Sequence, residues 1–68
     1  MQINFNLMPG DKLTVVDEYE GKSRTRKCTV VKEYRFFILA DYGLYLETID
    51  KRKECCGEVM FWKGWKEE

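Results

Sequence analysis

Three cysteines are the most nucleophilic side chains in this 68-residue sequence. Cys55 and Cys56 follow the basic run at residues 51–53, and cationic neighbours can activate a thiol. A structural zinc site needs four ligands, whereas the chain has three cysteines, no histidine and no Cys-x-x-Cys spacing. We therefore predict no metal site and interpret the cysteines as free thiols, as reducing compartments keep them. A bridge from Cys28 to one of the adjacent pair is the alternative that geometry leaves open.

Carboxylates are the only abundant acid–base groups, because the sequence contains no histidine. That composition excludes Ser-His-Asp and Cys-His catalysis. General acid–base work by carboxylates needs a pair in a cleft, and no spacing in this chain predicts one. The five glycines are spaced as turn residues and form no phosphate-binding GxGxxG or GxxxxGK pattern. We therefore predict that the protein is not an enzyme and uses no cofactor.

Charge is distributed unevenly, although the 12 basic and 12 acidic residues cancel in total. Residues 1–21 carry one lysine against four acids, whereas residues 22–35 carry six basic residues against one glutamate. Lys22, Arg24 and Arg26 alternate along the chain, so they would share one face of an extended strand. With Lys27 and neighbouring aromatic rings, this basic hairpin suits contact with the phosphates and bases of a nucleic acid.

A salt-bridged hairpin is the competing interpretation of the same charges. Three acids would lie on the preceding strand, opposite the basic residues at 24–27. Opposite charges on paired strands attract, and this pairing would neutralise much of the basic surface. We favour the neutralised hairpin and keep nucleic-acid binding as the alternative function. The three acids are Asp17, Glu18 and Glu20.

Aromatic residues exceed what so small an interior can hold. The chain has four tyrosines and two tryptophans in addition to four phenylalanines. Tyr42 and Tyr45 flank a tight turn at Gly43, and Trp62 and Trp65 lie near the end of the sequence. Tyrosine and tryptophan are frequent anchors of protein interfaces. We predict that these four residues contact a protein partner, and pairing of an edge strand with a second copy stays open.

Alternating apolar and β-branched residues predict strands along most of the chain. Residues 1–7 alternate strictly, which is typical of a half-buried strand. Glycine-containing turns are predicted at residues 8–11, 20–23 and 42–43. Residues 50–56 lack the alternation and predict one helical or 3₁₀ turn. The predicted strands cover residues 1–7, 12–19, 25–34, 36–41, 44–49 and 58–63.

Five or six short antiparallel strands predict one all-β domain over residues 1–68. We favour closure into a small barrel, because so short a chain has few other ways to cover its sheet edges. No apolar run approaches the roughly 20 residues of a membrane span, and the first residues lack a signal-peptide pattern. We therefore predict a soluble, cytoplasmic protein. The predicted core contains Leu13, Val15, Val30, Leu39, Leu46 and Val59.

Three segments together resemble a known group of proteins. They are PGDKLTV at residues 9–15, VVKEYRFFIL at residues 30–39 and YLETI at residues 45–49. In this order they resemble small, mostly uncharacterised SH3-like barrel proteins carried by phages and conjugative elements of Gram-positive bacteria. The resemblance spans residues 9–49, and residues 1–7 and the adjacent cysteines depart from the pattern. It implies an SH3-like barrel and a mobile-element accessory or inhibitor protein, and it supplies no catalytic residues.

These observations together predict a non-catalytic binding module. A protein partner is favoured, because the surplus aromatic residues suit an interface and the zero net charge weakens long-range attraction to nucleic acid. The alternative is a nucleic-acid-binding SH3-like barrel that uses Lys22, Arg24, Arg26 and Lys27.

Overall fold

Five strands and one short helix form in a computed structural model that describes residues 4–65. The elements are β1 (Lys12–Tyr19), β2 (Lys22–Glu33), β3 (Phe37–Asp41), β4 (Leu46–Asp50), α1 (Lys51–Cys55) and β5 (Met60–Lys63). All strand pairs are antiparallel, and the sheet order is β4-β3-β2-β1-β5. This architecture confirms the predicted all-β fold and the helical turn predicted within residues 50–56.

The two edges of the sheet are β4 and β5, and no ladder joins them within residues 4–65. Closure of the sheet into a barrel therefore stays a prediction. The helix α1 makes the connection between these edges, starting directly where β4 ends. Over the same residues, no helix has the length and apolar character needed to cross a membrane.

The first hairpin turns through only two residues. Glu20 and Gly21 both adopt positive φ angles, 52° and 79°, which is the backbone of a type I′ turn. This turn sets the register in which Tyr19 lies opposite Lys22 and Asp17 lies opposite Arg24. The second strand consequently begins at Lys22, three residues earlier than the predicted strand at 25–34.

A β-bulge interrupts the pairing of β2 with β3 at Val31. Val30 pairs with Ala40 on one side of the bulge, and Lys32 pairs with Leu39 on the other. The extra residue reverses which positions of β2 face the core. Even-numbered residues such as Val30 face it before the bulge, whereas Glu33 faces it afterwards.

The core is assembled on one face of the sheet. Leu13, Val15 and Val30 are fully buried, as predicted, and Val59 packs against them half-buried. Phe5, Tyr42 and Phe61 also pack around this cluster. The buried apolar residues are Leu7, Leu13, Val15, Cys28, Val30, Ile38, Ala40 and Ile49.

Two predicted core residues were wrong. Leu39 is only half-buried, and Leu46 is 59% exposed, whereas Ile38 and Ile49 take the interior positions. The run at residues 36–39 is apolar at every position, so its alternation could not define the inward face. The connection to β4 also proved two residues longer than predicted, which moved the start of that strand to Leu46.

The predicted strand at residues 1–7 is not formed over residues 4–7, and its first three residues lie outside the described part of the chain. Asn6 has a φ angle of 57°, which interrupts extended backbone. The segment is instead held by one side chain, because the Glu33 carboxylate accepts hydrogen bonds from the Phe5 and Leu7 amides at 2.7 and 2.8 Å.

Glu33 also forms a buried ion pair with the first residue of α1. The Lys51 Nζ lies 2.7 Å from Glu33 Oε2, and the two side chains are only 6% and 8% exposed. Asp50 begins the helix by accepting a hydrogen bond from the Arg52 amide. The Glu33–Lys51 ion pair therefore joins β2 to α1.

We expect Lys51→Met to lower the free energy of unfolding by about 3–5 kcal/mol, because it leaves the Glu33 carboxylate buried without its cation. Lys63→Met is the matched control. Lys63 is 60% exposed and lies 3.7 Å from Asp11, so its replacement should cost no more than about 0.5 kcal/mol. Urea denaturation of both variants measures the difference, and equal destabilisation would contradict the structural role of the buried pair.

We also expect Glu33 to contribute to acid sensitivity. Burial raises its pKa, but the hydrogen bond and charge of Lys51 and the two amides outweigh burial and place the pKa below 4.5. Its stabilisation is therefore fully present above pH 4.5 and disappears as pH falls through the lowered pKa. Urea midpoints measured between neutral and acidic pH should fall less steeply for Glu33→Gln, and an unchanged pH slope would show that the carboxylate is not responsible.

Candidate functional site

Arg26 occupies the centre of a polar cluster on the core-facing side of the sheet. Its guanidinium donates hydrogen bonds to Asp17 Oδ2 at 3.1 Å, to Glu47 Oε2 at 3.0 Å and to the Tyr45 hydroxyl at 3.0 Å. These three partners belong to β1, β4 and the turn before β4. Arg26 on β2 therefore connects the β1–β2 hairpin with the β3–β4 hairpin.

Hydrogen bonds and stacked rings brace the turn between β3 and β4. The Tyr42 amide donates to the Tyr45 carbonyl at 3.0 Å, and the Gly43 amide donates to Asp41 Oδ1 at 2.8 Å. The Tyr42 and Tyr45 rings stack with centroids 5.5 Å apart and planes 11° from parallel. Arg26 lies 4.3 Å from the Tyr42 ring centroid, so its cation holds one ring while its hydrogen bond fixes the other.

Burial and ion pairing keep the cluster charged but internally neutralised. Burial raises the pKa of Asp17, yet hydrogen bonds and charge from Arg24 and Arg26 bring the pKa below its usual value. Burial lowers the pKa of Arg26, but Glu47 and Tyr45 raise it well above its usual value. The guanidinium therefore stays protonated wherever the protein is folded. Its Nε is buried and has no hydrogen-bond partner within residues 4–65.

The basic hairpin is partly neutralised, as the competing interpretation predicted. Arg24 Nε lies 2.9 Å from Asp17 Oδ1, and its guanidinium lies 4.4 Å from the Tyr19 ring centroid. Asp17 thus bonds both arginines. The other two predicted acids do not take part in this way: Glu18 lies opposite Ser23, and Glu20 lies in the turn.

The four basic residues of the nucleic-acid alternative do not form one free surface. Arg24 and Arg26 point to the core side and are bound to carboxylates. Lys22 is exposed at the start of the same strand face. Lys27 is exposed on the opposite face, because successive strand residues alternate sides.

Leu44 is the residue that sequence reasoning missed. It is 97% exposed at the tip of the turn, between Tyr42 and Tyr45, and Tyr45 is 48% exposed. The sequence places it in an apolar run and so predicted a strand position. The available signal was its place directly after Gly43, because glycine is typical of turns. In the structure Gly43 adopts a φ angle of 99°.

Trp65 lies beside this turn. Its indole donates a hydrogen bond to the Cys28 carbonyl at 2.9 Å, and Lys12 Nζ lies 4.7 Å from its ring centroid. Trp65 and Tyr42 line one shallow groove of about 250 Å³. We call Tyr42, Leu44, Tyr45 and Trp65 the aromatic patch.

Trp62, the fourth predicted contact, is separated from the aromatic patch. It pairs with Thr14 on the outer face of β5, whereas Phe61 beside it packs into the core. The structure therefore brings together Tyr42, Tyr45 and Trp65 and leaves Trp62 apart. Trp62 is still 40% exposed, and its contact with a partner stays a prediction.

The cysteines differ sharply in accessibility. Cys28 is buried behind Tyr42, whereas Cys55 and Cys56 are exposed, and all three are free thiols. Burial raises the pKa of the Cys28 thiol despite its hydrogen bond with Tyr42. Burial also raises the pKa of the Tyr42 hydroxyl. Both groups are therefore neutral at physiological pH, and the aromatic patch offers rings and fixed ion pairs rather than a nucleophile.

We expect two of the three thiols to react rapidly with a chromogenic disulfide reagent in the folded protein. The third, Cys28, should react only as fast as the protein opens, because it is buried and protonated. Denaturant should release it. Cys28→Ala serves as the control, since it should abolish the slow phase alone, and rapid reaction of all three thiols would contradict the burial of Cys28.

No protein-family model matches this chain, and neither curated proteins nor solved structures give a match. Folds of this kind host many functions, so function has to be argued from the site itself. The site consists of the exposed aromatic patch and the arginine cluster that holds it in place.

Proposed function

We propose that this protein is a non-catalytic binding module that docks a protein partner through the aromatic patch. The observation that carries the proposal is the exposure of Leu44, 97%, at the tip of a turn whose two tyrosines are fixed by Arg26. Covering an apolar side chain that is so fully exposed yields the largest favourable free energy, because the most apolar surface is removed from water. Because the turn is held in place, a partner can bury Leu44 only by binding at this surface.

The contacts that hold the side chains of the aromatic patch in place support the proposal. Binding normally costs free energy because interface side chains lose rotamer freedom. In the aromatic patch, hydrogen bonds already hold the Tyr45 hydroxyl and the Trp65 indole, and stacking holds the Tyr42 ring. The patch therefore requires little further ordering, which is typical of interface anchors.

Charge beside the two tyrosines supports a protein partner over a polyanion, whereas Lys12 and Lys27 border the Trp65 side of the patch. Arg24 and Arg26 are bound to Asp17 and Glu47, so the arginines beside the patch bring little unneutralised positive charge to it. Phosphate recognition would have to break these pairs and leave the two carboxylates without their cations. A partner with an apolar pocket would leave them intact.

The resemblance to small SH3-like barrel proteins of phages and conjugative elements narrows the proposal. It favours an accessory or inhibitor protein of a mobile element, acting in the cytoplasm of the host. An inhibitor of this kind works by occupying a surface of its target, which requires an exposed anchor and no catalytic group.

A photo-crosslinking residue at position 44 tests this function in the native host. The matched control carries the same residue at Thr25, which is exposed on β2 away from the patch. We expect one protein to be captured from position 44 and not from position 25. Equal capture at both positions, or capture of nucleic acid alone, would remove the support for the proposal.

The captured partner then permits a quantitative measurement. Tyr45→Ala should weaken its affinity by about 30-fold, the effect of removing an anchor worth about 2 kcal/mol. Tyr45→Phe keeps the ring and removes only the bond to Arg26, so it should retain most of the affinity. Thermal unfolding of both variants checks that the fold is intact, and full affinity in a folded Tyr45→Ala would overturn the role of the patch.

A further inference from the structure

A second exposed aromatic surface lies at the opposite end of β3, at the turn between β2 and β3. Tyr34 and Phe37 stack with ring centroids 4.7 Å apart and planes 21° from parallel. Phe36 between them is 53% exposed and Tyr34 is 39% exposed. The five residues of β3 separate this surface from the aromatic patch by about 16 Å.

Two cations accompany these rings. Lys32 Nζ lies 5.3 Å from the Tyr34 ring centroid, and Arg35 Cζ lies 5.2 Å from the Phe36 ring centroid. Neither cation forms an ion pair with any residue in the described part of the chain. Glu33, the acid between them in sequence, points into the interior and is bound to Lys51. The surface is therefore locally positive, although the protein as a whole is neutral.

A pocket adjoins the rings. It has a volume of about 460 Å³ and lies between residues 4–8 and the β2–β3 turn. Asn4, Asn6, Tyr34 and Arg35 line it, together with the buried Glu33–Lys51 pair. The backbone N–H of Asn6 donates a hydrogen bond to Asn4 Oδ1 at 2.8 Å. The side-chain amide of Asn6 has no hydrogen-bond partner within residues 4–65.

We propose that this end of the protein binds single-stranded nucleic acid. One base would enter the pocket, where the Asn6 amide can pair with its polar edge and Tyr34 can contact its ring. Arg35 and Lys32 would contact the flanking phosphates, and Phe36 offers a second stacking surface. Exposed rings beside unpaired cations are the features by which small domains bind single strands. The site is independent of the aromatic patch and of the neutralised arginines at positions 24 and 26.

An acidic peptide fits these features less well. It would satisfy the two cations, but its carboxylate and peptide groups offer the rings much less stacking area than a nucleobase does. A free nucleotide shares the chemistry of one base and one phosphate. It would occupy the pocket alone and leave Phe36 and Lys32 without a ligand.

Fluorescence anisotropy with a labelled short oligouridine and its DNA counterpart tests the proposal at low salt. We expect binding that weakens steeply as salt rises. Arg35→Glu should weaken it at least tenfold and reduce the slope of log K against log salt, by about 0.7 for each phosphate that the variant no longer neutralises. Lys22→Glu is the charge-matched control, since Lys22 is exposed on another surface, and it should change affinity less than twofold.

Two further variants separate stacking and base contact from charge. Tyr34→Leu should weaken binding at least about fivefold without changing the salt slope. Asn6→Gly suits the φ angle of 57° and removes the whole side chain with its amide, so it should weaken binding while preserving the melting temperature.

Several results would overturn the proposal. They are the absence of binding at low salt, equal weakening in Arg35→Glu and Lys22→Glu, and competition by a mononucleotide or by polyglutamate as strong as that by the oligonucleotide. Tyr45→Ala should bind the oligonucleotide normally. This variant therefore separates failure of the nucleic-acid site from failure of the proposed protein-binding patch.

Discussion

The rest of the structure depends on the ion pair and the two hydrogen bonds that the buried Glu33 carboxylate forms. Its two oxygens receive Lys51 from the helix and the Phe5 and Leu7 amides from the N-terminal segment. One side chain on β2 thus fixes two segments that have no strand ladder of their own within residues 4–65. A small sheet buries limited apolar surface, so segments outside it need specific polar attachment. Because an unpaired buried charge is costly, the Glu33 carboxylate, the Lys51 ammonium and the two backbone amides stay together in one arrangement.

Arg26 has a comparable role in the first half of the same strand. It bonds carboxylates from β1 and β4 and holds the two tyrosines of the β3–β4 turn. The two polar clusters have opposite centres, a carboxylate in one and a guanidinium in the other. Arg26 contacts the two tyrosines directly, whereas the Glu33–Lys51 pair lines the pocket beside Tyr34. The β-bulge at Val31 separates them and allows both Arg26 and Glu33, which differ in parity, to face the interior.

This arrangement explains how a chain with few core positions uses so many aromatic residues. Phe5 and Phe61 pack edge to face near the core, with centroids 4.9 Å apart. Most of the remaining rings lie at the two ends of β3. One group lies beside the paired arginines and Lys12, and the other lies beside Lys32 and Arg35, which form no ion pair within residues 4–65. The two ends therefore differ in the charge that accompanies their exposed rings.

Local spacing alone determined most of the strands, the turn at residues 8–11, a turn within residues 20–23 and the helical turn after Asp50. It also predicted that acids of the first strand lie opposite the basic residues at 24–27. The two-residue turn that pairs Asp17 with Arg24 was visible only in the structure. Only the tertiary structure decided that Glu33 is buried, that Arg26 reaches Glu47 and Tyr45, and that Ile38 rather than Leu39 faces the core. A bulge inverts the alternation without a sequence signal, and contacts between distant strands depend on the sheet order. Charge counted along the chain could not separate bound from free cations, since that distinction depends on which acids the fold brings opposite them.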